Sequence, residues 1–157
     1  GAGTGLAGLQ LLPELSSWVA EDTSAAMLEV LQGKLQGNEP VTIVKGEIFA
    51  YTNRDIDLLF SVMAFHHLPE LEKAIQHIAT LVKPGGYVVV GDLMTEDGSF
   101  HHFEPIPHKG FDPEQLKKRF EESGFTIKKV YVYDSLRRER IPGKPSDYEQ
   151  FILIAQK

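Results

Sequence analysis

Gly1, Gly3 and Gly5 stand in the opening pentapeptide Gly1-Ala2-Gly3-Thr4-Gly5, just ahead of a stretch, residues 6–12, whose leucines recur at helical spacing. A glycine-rich turn that opens a helix lets the backbone approach a ligand closely and aims N–H groups at it. About twenty residues on, where a nucleotide-binding βαβ unit keeps its acidic residue, the pair Glu21-Asp22 closes a strand-like run. An ionised carboxylate there can accept both hydroxyls of a ribose. Three glycines in five residues also occur in turns with no function, so the acid at that distance is what points to a nucleotide. The dinucleotide pattern G-x-G-x-x-G asks for Gly or Ala at its last position; here that position is Leu6.

Histidines are the second chemical resource. His66 and His67 are adjacent, and His101, His102 and His108 lie in one Pro-rich stretch. Five histidines in two groups invite a metal reading, with Asp92 or Glu104 as an added ligand. Adjacent histidines lack the i, i+4 spacing that presents two imidazoles on one helix face, so no metal site is expected. His77 falls on a helical stretch and is expected at the surface.

The elements that must position these groups follow from punctuation and periodicity. Leu6, Leu9 and Leu12 mark a helix that Pro13 stops. A strand at 17–20 runs into Glu21-Asp22. Ser24 is the N-cap of a second helix with Met27, Leu28, Leu31 and Leu35 inward, ended by Gly37. Residues 41–44 form a β-branched strand. The near-continuous apolar run 57–62 reads as a strand buried on both faces. A helix from Pro69 turns Leu71, Ile75, Ile78 and Val82 inward and ends at Lys83-Pro84-Gly85-Gly86. Residues 87–93 form the next strand.

A long loop, 94–110, could close over a substrate. Asp112, Pro113 and Gln115 then start a helix, with Phe111 and Leu116 as a hydrophobic staple. Strands at 126–133 and 148–155 follow with no helix between them, so they pair antiparallel. The fold class is α/β: a mostly parallel sheet flanked by helices with an antiparallel C-terminal strand, in one domain spanning 1–157.

Composition narrows the partners. The 157 residues carry a formal charge of −6, which argues against a nucleic-acid surface because polyanion binding rests on clustered Lys and Arg. Lys117-Lys118-Arg119 reads as a solvated helix face, and Arg137, Arg138 and Arg140 as part of a loop. Cysteine is absent, which rules out disulfides and thiolate chemistry and fits a cytoplasmic setting. No apolar run reaches the ~20 residues that span a bilayer.

Several stretches together resemble the class I S-adenosylmethionine-dependent methyltransferases, in particular the small-molecule branch similar to ubiquinone and menaquinone biosynthesis enzymes. They are Gly1-Ala2-Gly3-Thr4-Gly5, the D-x-S-x-x-M of Asp22 to Met27, Gly46-Glu47, Asp57-Leu58-Leu59-Phe60-Ser61 with His66-His67, and Leu81-Val82-Lys83-Pro84-Gly85-Gly86. The resemblance implies a Rossmann-like fold and S-adenosylmethionine as cofactor, released as S-adenosylhomocysteine. It places Gly1, Ala2 and Gly3 along the methionine and ribose, Asp22 with Thr23 at the ribose hydroxyls, and Glu47 and Ile48 at the adenine. Met27 and Phe49 would pack near adenine, and the backbone of Ser61 would face the ligand. His66 and His67 fall where the methyl group is expected, so either is a catalytic candidate for deprotonating or orienting a small-molecule acceptor.

In that family the glycine turn follows the central strand of the sheet. The expectation is therefore that a longer natural protein, of which this sequence is a fragment, or another chain supplies this strand; the helices that in the family precede it and cap the substrate are likewise not in this sequence. The rival readings are an S-adenosylmethionine-binding module or subunit without catalysis and, disfavoured by Leu6, a dehydrogenase. The acceptor and the oligomeric state, a homodimer included, stay open.

Overall fold

A computed structural model describes residues 1–157. The chain divides into two compact units, Gly1–Thr52 and Asn53–Lys157, each with its own sheet.

In the first unit, α1 (Gly8–Leu11) leads into a 3-10 turn at Leu12–Glu14, and β1 (Trp18–Asp22), α2 (Ala25–Lys34) and β2 (Val41–Lys45) follow. β1 and β2 pair in parallel, in register from Trp18 opposite Val41 to Asp22 opposite Lys45. Alternation along β1 sends Trp18 and Ala20 inward, where they meet Leu28 and Leu31 of α2 in a buried cluster. The expected N-cap holds: Ser24 Oγ accepts the Met27 N–H at 3.3 Å.

Three expectations need correction here. The first helix does not begin at Leu6, which is 76% exposed. Its α-helical part ends at Leu11, and the chain passes through Pro13 in the 3-10 turn rather than breaking there. A proline near the start of a turn is tolerated because its missing N–H would have had no partner there. Met27 belongs to the outer face of α2, 47% exposed, since only the Leu28 and Leu31 positions point into the narrow space over β1.

The second unit runs β3 (Ile56–Val62), a 3-10 turn at Phe65–His67, α3 (Leu71–Leu81), β4 (Val82–Leu93), a 3-10 turn at Ser99–His101, α4 (Pro113–Glu122), β5 (Thr126–Ile141) and β6 (Lys144–Gln156). The strand order is β3-β4-β6-β5. β3 and β4 are parallel, and β6 runs antiparallel to both its neighbours. This is the α/β architecture expected, with its antiparallel C-terminal strand. Leu71, Ala74, Ile75, Ile78 and Leu81 of α3 and Leu116 and Phe120 of α4 are buried, as their helical spacing requires. Asp112 caps α4, accepting the Glu114 N–H at 2.9 Å.

Run 57–62 is not buried on both faces: Leu58 and Val62 are 41% and 43% exposed, because β3 is an outer strand of this sheet, paired with β4 alone. The arginines expected in a loop are in β5, where Arg137 lies opposite Asp147 and Arg138 opposite Ser146. Both strands of that hairpin therefore outrun their apolar cores, joined by a turn in which Gly143 has φ +73°. No helix is long and apolar enough to cross a membrane.

Candidate functional site

In the first unit the glycine turn closes onto the carboxyl end of β1. The Ala2 N–H donates to the Glu21 carbonyl at 2.8 Å, and the Gly3 N–H donates to Asp22 Oδ2 at 2.7 Å. The other carboxylate oxygen, Oδ1, accepts the Ser24 N–H at 2.8 Å. Asp22 thus clamps the turn to the start of α2. Gly3 has φ +54°, a backbone shape that side chains resist, and a Cβ built on it would meet nothing within 4 Å. The turn therefore presents open space beside a carboxylate.

Thr23 lies between Asp22 and the cap residue Ser24. Beyond β2, the Gly46 N–H donates to the Asp22 carbonyl at 3.0 Å, which draws the turn carrying Glu47 and Ile48 to the same end of the sheet. Glu47 is exposed and Ile48 half-buried. The structure therefore gathers Gly1, Ala2, Gly3, Asp22, Thr23, Glu47 and Ile48 at the carboxyl ends of two parallel strands, where open α/β sheets place ligands. Met27 follows in the first turn of α2. Ser61 lies on β3 of the second unit, opposite Val90.

In the second unit the carboxyl ends of β3 and β4 carry a second constellation. Phe65, 1% exposed, anchors the 3-10 turn after β3, and the Met63 N–H donates to the Gly91 carbonyl at 2.8 Å. His66 is 1% exposed and Asp92 fully buried. His66 Nδ1 lies 2.6 Å from Asp92 Oδ1. Asp92 also accepts the backbone N–H groups of His66, at 3.2 Å, and Leu93, at 2.7 Å. With the carboxylate as acceptor, Nδ1 carries the proton, and Nε2 keeps its lone pair. That Nε2 is buried without a hydrogen-bond partner.

His67 and His101 complete the group. Ring centroids are 4.2 Å apart for His66 and His67, 4.9 Å for His66 and His101, and 5.2 Å for His67 and His101. The loop after β4 delivers His101 through a well-fixed 3-10 turn. Glu96 Oε2 accepts the Gly98 and Phe100 N–H groups at 2.7 and 3.1 Å. The Ser99 and Tyr148 hydroxyls meet at 2.6 Å. The turn ends in two non-glycine residues with positive φ, His102 at 55° and Phe103 at 61°, the kind of strain that collects at functional sites. Burial lowers the pKa of both His67 and His101, and each is lowered further by the positive charge that His66 would carry.

The other loop histidines go elsewhere. His108 Nε2 lies 2.9 Å from the Leu68 carbonyl, and His102 is exposed beside Arg140. The sequence offers His66 and His67 as catalytic candidates, and its spacing sets aside a metal group that included His101 and Asp92; the His66–Asp92 hydrogen bond and the place of His101 beside both rings are what the structure adds. One signal was present: Asp92 is the lone charge in the apolar run 87–93, and a buried carboxylate needs a donor.

The methyltransferase domain family matches residues 1–90 of this sequence. The chain belongs to that family. An uncharacterised methyltransferase of Oceanobacillus iheyensis is 38% identical over 100 residues, which is 61% of this chain and 46% of the relative. One of Schizosaccharomyces pombe is 26% identical over 151 residues, 82% of this chain and 52% of the relative. The chain therefore spans about half the length of these two relatives. Among solved structures, a SAM-dependent methyltransferase from Methanosarcina mazei superposes with a TM-score of 0.78 at 16% identity, covering 100% of this chain and 89% of its own. The methyltransferase fold is thus shared with it.

Proposed function

We propose that residues 1–157 make one S-adenosylmethionine-binding domain that moves a methyl group to a small-molecule acceptor, with the cytoplasm as its setting. The observation that carries a catalytic reading is the His66–Asp92 pair with its buried, unpartnered Nε2. Family membership and the open glycine turn beside Asp22 support the cofactor. The turn fits such a group because its Gly3 leaves room where a side chain would stand, and because Asp22 keeps acceptor capacity after its two backbone bonds. Gly1, Ala2 and Gly3 would line the methionine and ribose, Asp22 and Thr23 the ribose hydroxyls, and Glu47, Ile48 and Met27 the adenine end. When bound, S-adenosylmethionine supplies a methyl group on a positively charged sulfonium and leaves as S-adenosylhomocysteine after in-line displacement.

The protein's own part is orientation and proton handling. Holding the two reactants in line can be worth ~7–11 kcal/mol, so a base is needed only for an acceptor whose proton is hard to lose. His66 Nε2 would take that proton, and Asp92 would hold the ring and stabilise the imidazolium formed. His67, exposed at the edge of the group, would orient the acceptor.

Calorimetric titration of S-adenosylhomocysteine, with Asp22→Ala alongside, tests this reading. Saturable binding that the variant loses supports it. Equal binding by both proteins would remove Asp22 from the site, and no binding by a folded sample would overturn the cofactor assignment for this chain.

A further inference from the structure

We propose that His66, His67 and His101 form a binding site for a divalent transition-metal cation of the zinc class. One ring nitrogen from each residue lies within 4.8 Å of the other two. Tetrahedral zinc with Zn–N bonds of about 2.0–2.1 Å holds its ligand nitrogens roughly 3.3 Å apart, so the gap closes by side-chain rotation of about 1.5 Å or less. The 3-10 turns that carry the three rings are fixed by Phe65 in the core on one side and by the Glu96 and Ser99 hydrogen bonds on the other.

The strongest indication is what the cluster lacks. A buried polar atom without a partner costs ~1–3 kcal/mol and is rare in a folded chain. Here two such atoms occur in neighbouring rings, His66 Nε2 and His101 Nδ1. Because His66 Nδ1 already donates to Asp92, a second proton on its Nε2 would place positive charge in a group of three imidazoles. A cation shared among them satisfies the lone pairs with a single charge.

The support around the cluster has the pattern of a metal centre. A metal-bound histidine usually donates its other N–H to a carboxylate, which sets the tautomer and the ring orientation. Asp92 does this for His66, and is itself locked by two backbone N–H groups. Three neutral nitrogens suit zinc, cobalt or nickel, whereas magnesium and calcium take oxygen ligands. His67, the exposed member, marks the side from which an ion enters, and a tetrahedral ion would keep one position open.

Metal and proton compete for the same His66 lone pair. If His66 is also the base of the reaction proposed above, metal binding inhibits methyl transfer; the site itself does not depend on that reading.

Cobalt(II) titration of the metal-free protein tests the site by its visible d–d absorption, with no turnover required. One saturable equivalent with the intense band of a four-coordinate ion is expected, displaced by zinc. His66→Asn and His101→Ala should each weaken binding at least about tenfold, and Asp92→Asn by about 10- to 100-fold. His102→Ala and His108→Ala should leave it unchanged. Far-ultraviolet circular dichroism shows that each variant is folded. Absence of a saturable band at millimolar cobalt would overturn the proposal, as would full binding by both His66→Asn and His101→Ala.

Discussion

The glycine turn and the histidine cluster both sit at the carboxyl ends of parallel strands, yet they differ in what they leave unsatisfied. At the turn, Asp22 spends one oxygen on Gly3 and the other on Ser24, and the neighbouring N–H groups of Ala2 and Gly46 are also paired. At the cluster, Asp92 is equally well bonded, but His66 Nε2 and His101 Nδ1 beyond it are buried without a partner. The first is a finished frame whose use is its shape. The second, on the two proposals above, is a group of imidazoles that takes up a proton or a cation. Binding and reactivity are thus assigned to different parts of the chain, and that assignment can be broken.

The largest effect should come from His66→Ala. With an acceptor whose proton is hard to lose, methyl transfer should fall by about 10²- to 10⁴-fold, the usual reach of a general base, while S-adenosylhomocysteine affinity by calorimetry changes by less than about twofold. An equal loss of affinity would erase the division between frame and reactive group. Next, Asp22→Ala should weaken S-adenosylhomocysteine binding by about 10- to 100-fold, since a hydrogen bond to a charged group is worth ~1.5–3 kcal/mol.

Asp92→Asn sharpens the same contrast at a smaller scale. An amide cannot replace both carboxylate oxygens as acceptors, so nitrogen NMR should show the His66 proton shared with Nε2. An unchanged tautomer would mean that Asp92 does not set it.

Packing beneath the frame is a further test. A Cβ on Gly8 would run into the Trp18 ring, so Gly8→Ala should cost ~1–3 kcal/mol of stability in urea unfolding. The smallest effect is at the cap: Ser24→Ala should cost ~1 kcal/mol in the same unfolding measurement, because it removes only the Oγ acceptor of the Met27 N–H and leaves the backbone Ser24 N–H on Asp22.

Some of this was legible in the chain because it is local. Ser24 and Asp112 cap the helices they precede, and the glycine turn with Asp22 some twenty residues later is a pattern read along one strand–helix–strand unit. The errors also have local causes. Leu6 and Met27 have helical periodicity but no partner surface, so both are exposed. The apolar run 57–62 looked fully buried because hydrophobicity cannot tell an outer strand from a central one. The arginines of β5 were hidden by their charge: nothing in Arg137, Arg138 or Arg140 alone announces Asp147 and Ser146 across the hairpin.

The histidine cluster shows the limit most plainly. His66-His67 and His101 are visible as residues, and Asp92 as a charge in an apolar strand. Their meeting is not visible, because it depends on β3 and β4 lying side by side in parallel and on a strained turn returning His101 to the strand ends. Sequence determined the α/β alternation, the capped helices and a glycine–carboxylate frame, since each rests on residues within one or two elements and on backbone geometry those residues dictate. Tertiary structure alone decided which face of each element is buried and which imidazoles lie against one another, because both are set by contacts between segments tens of residues apart.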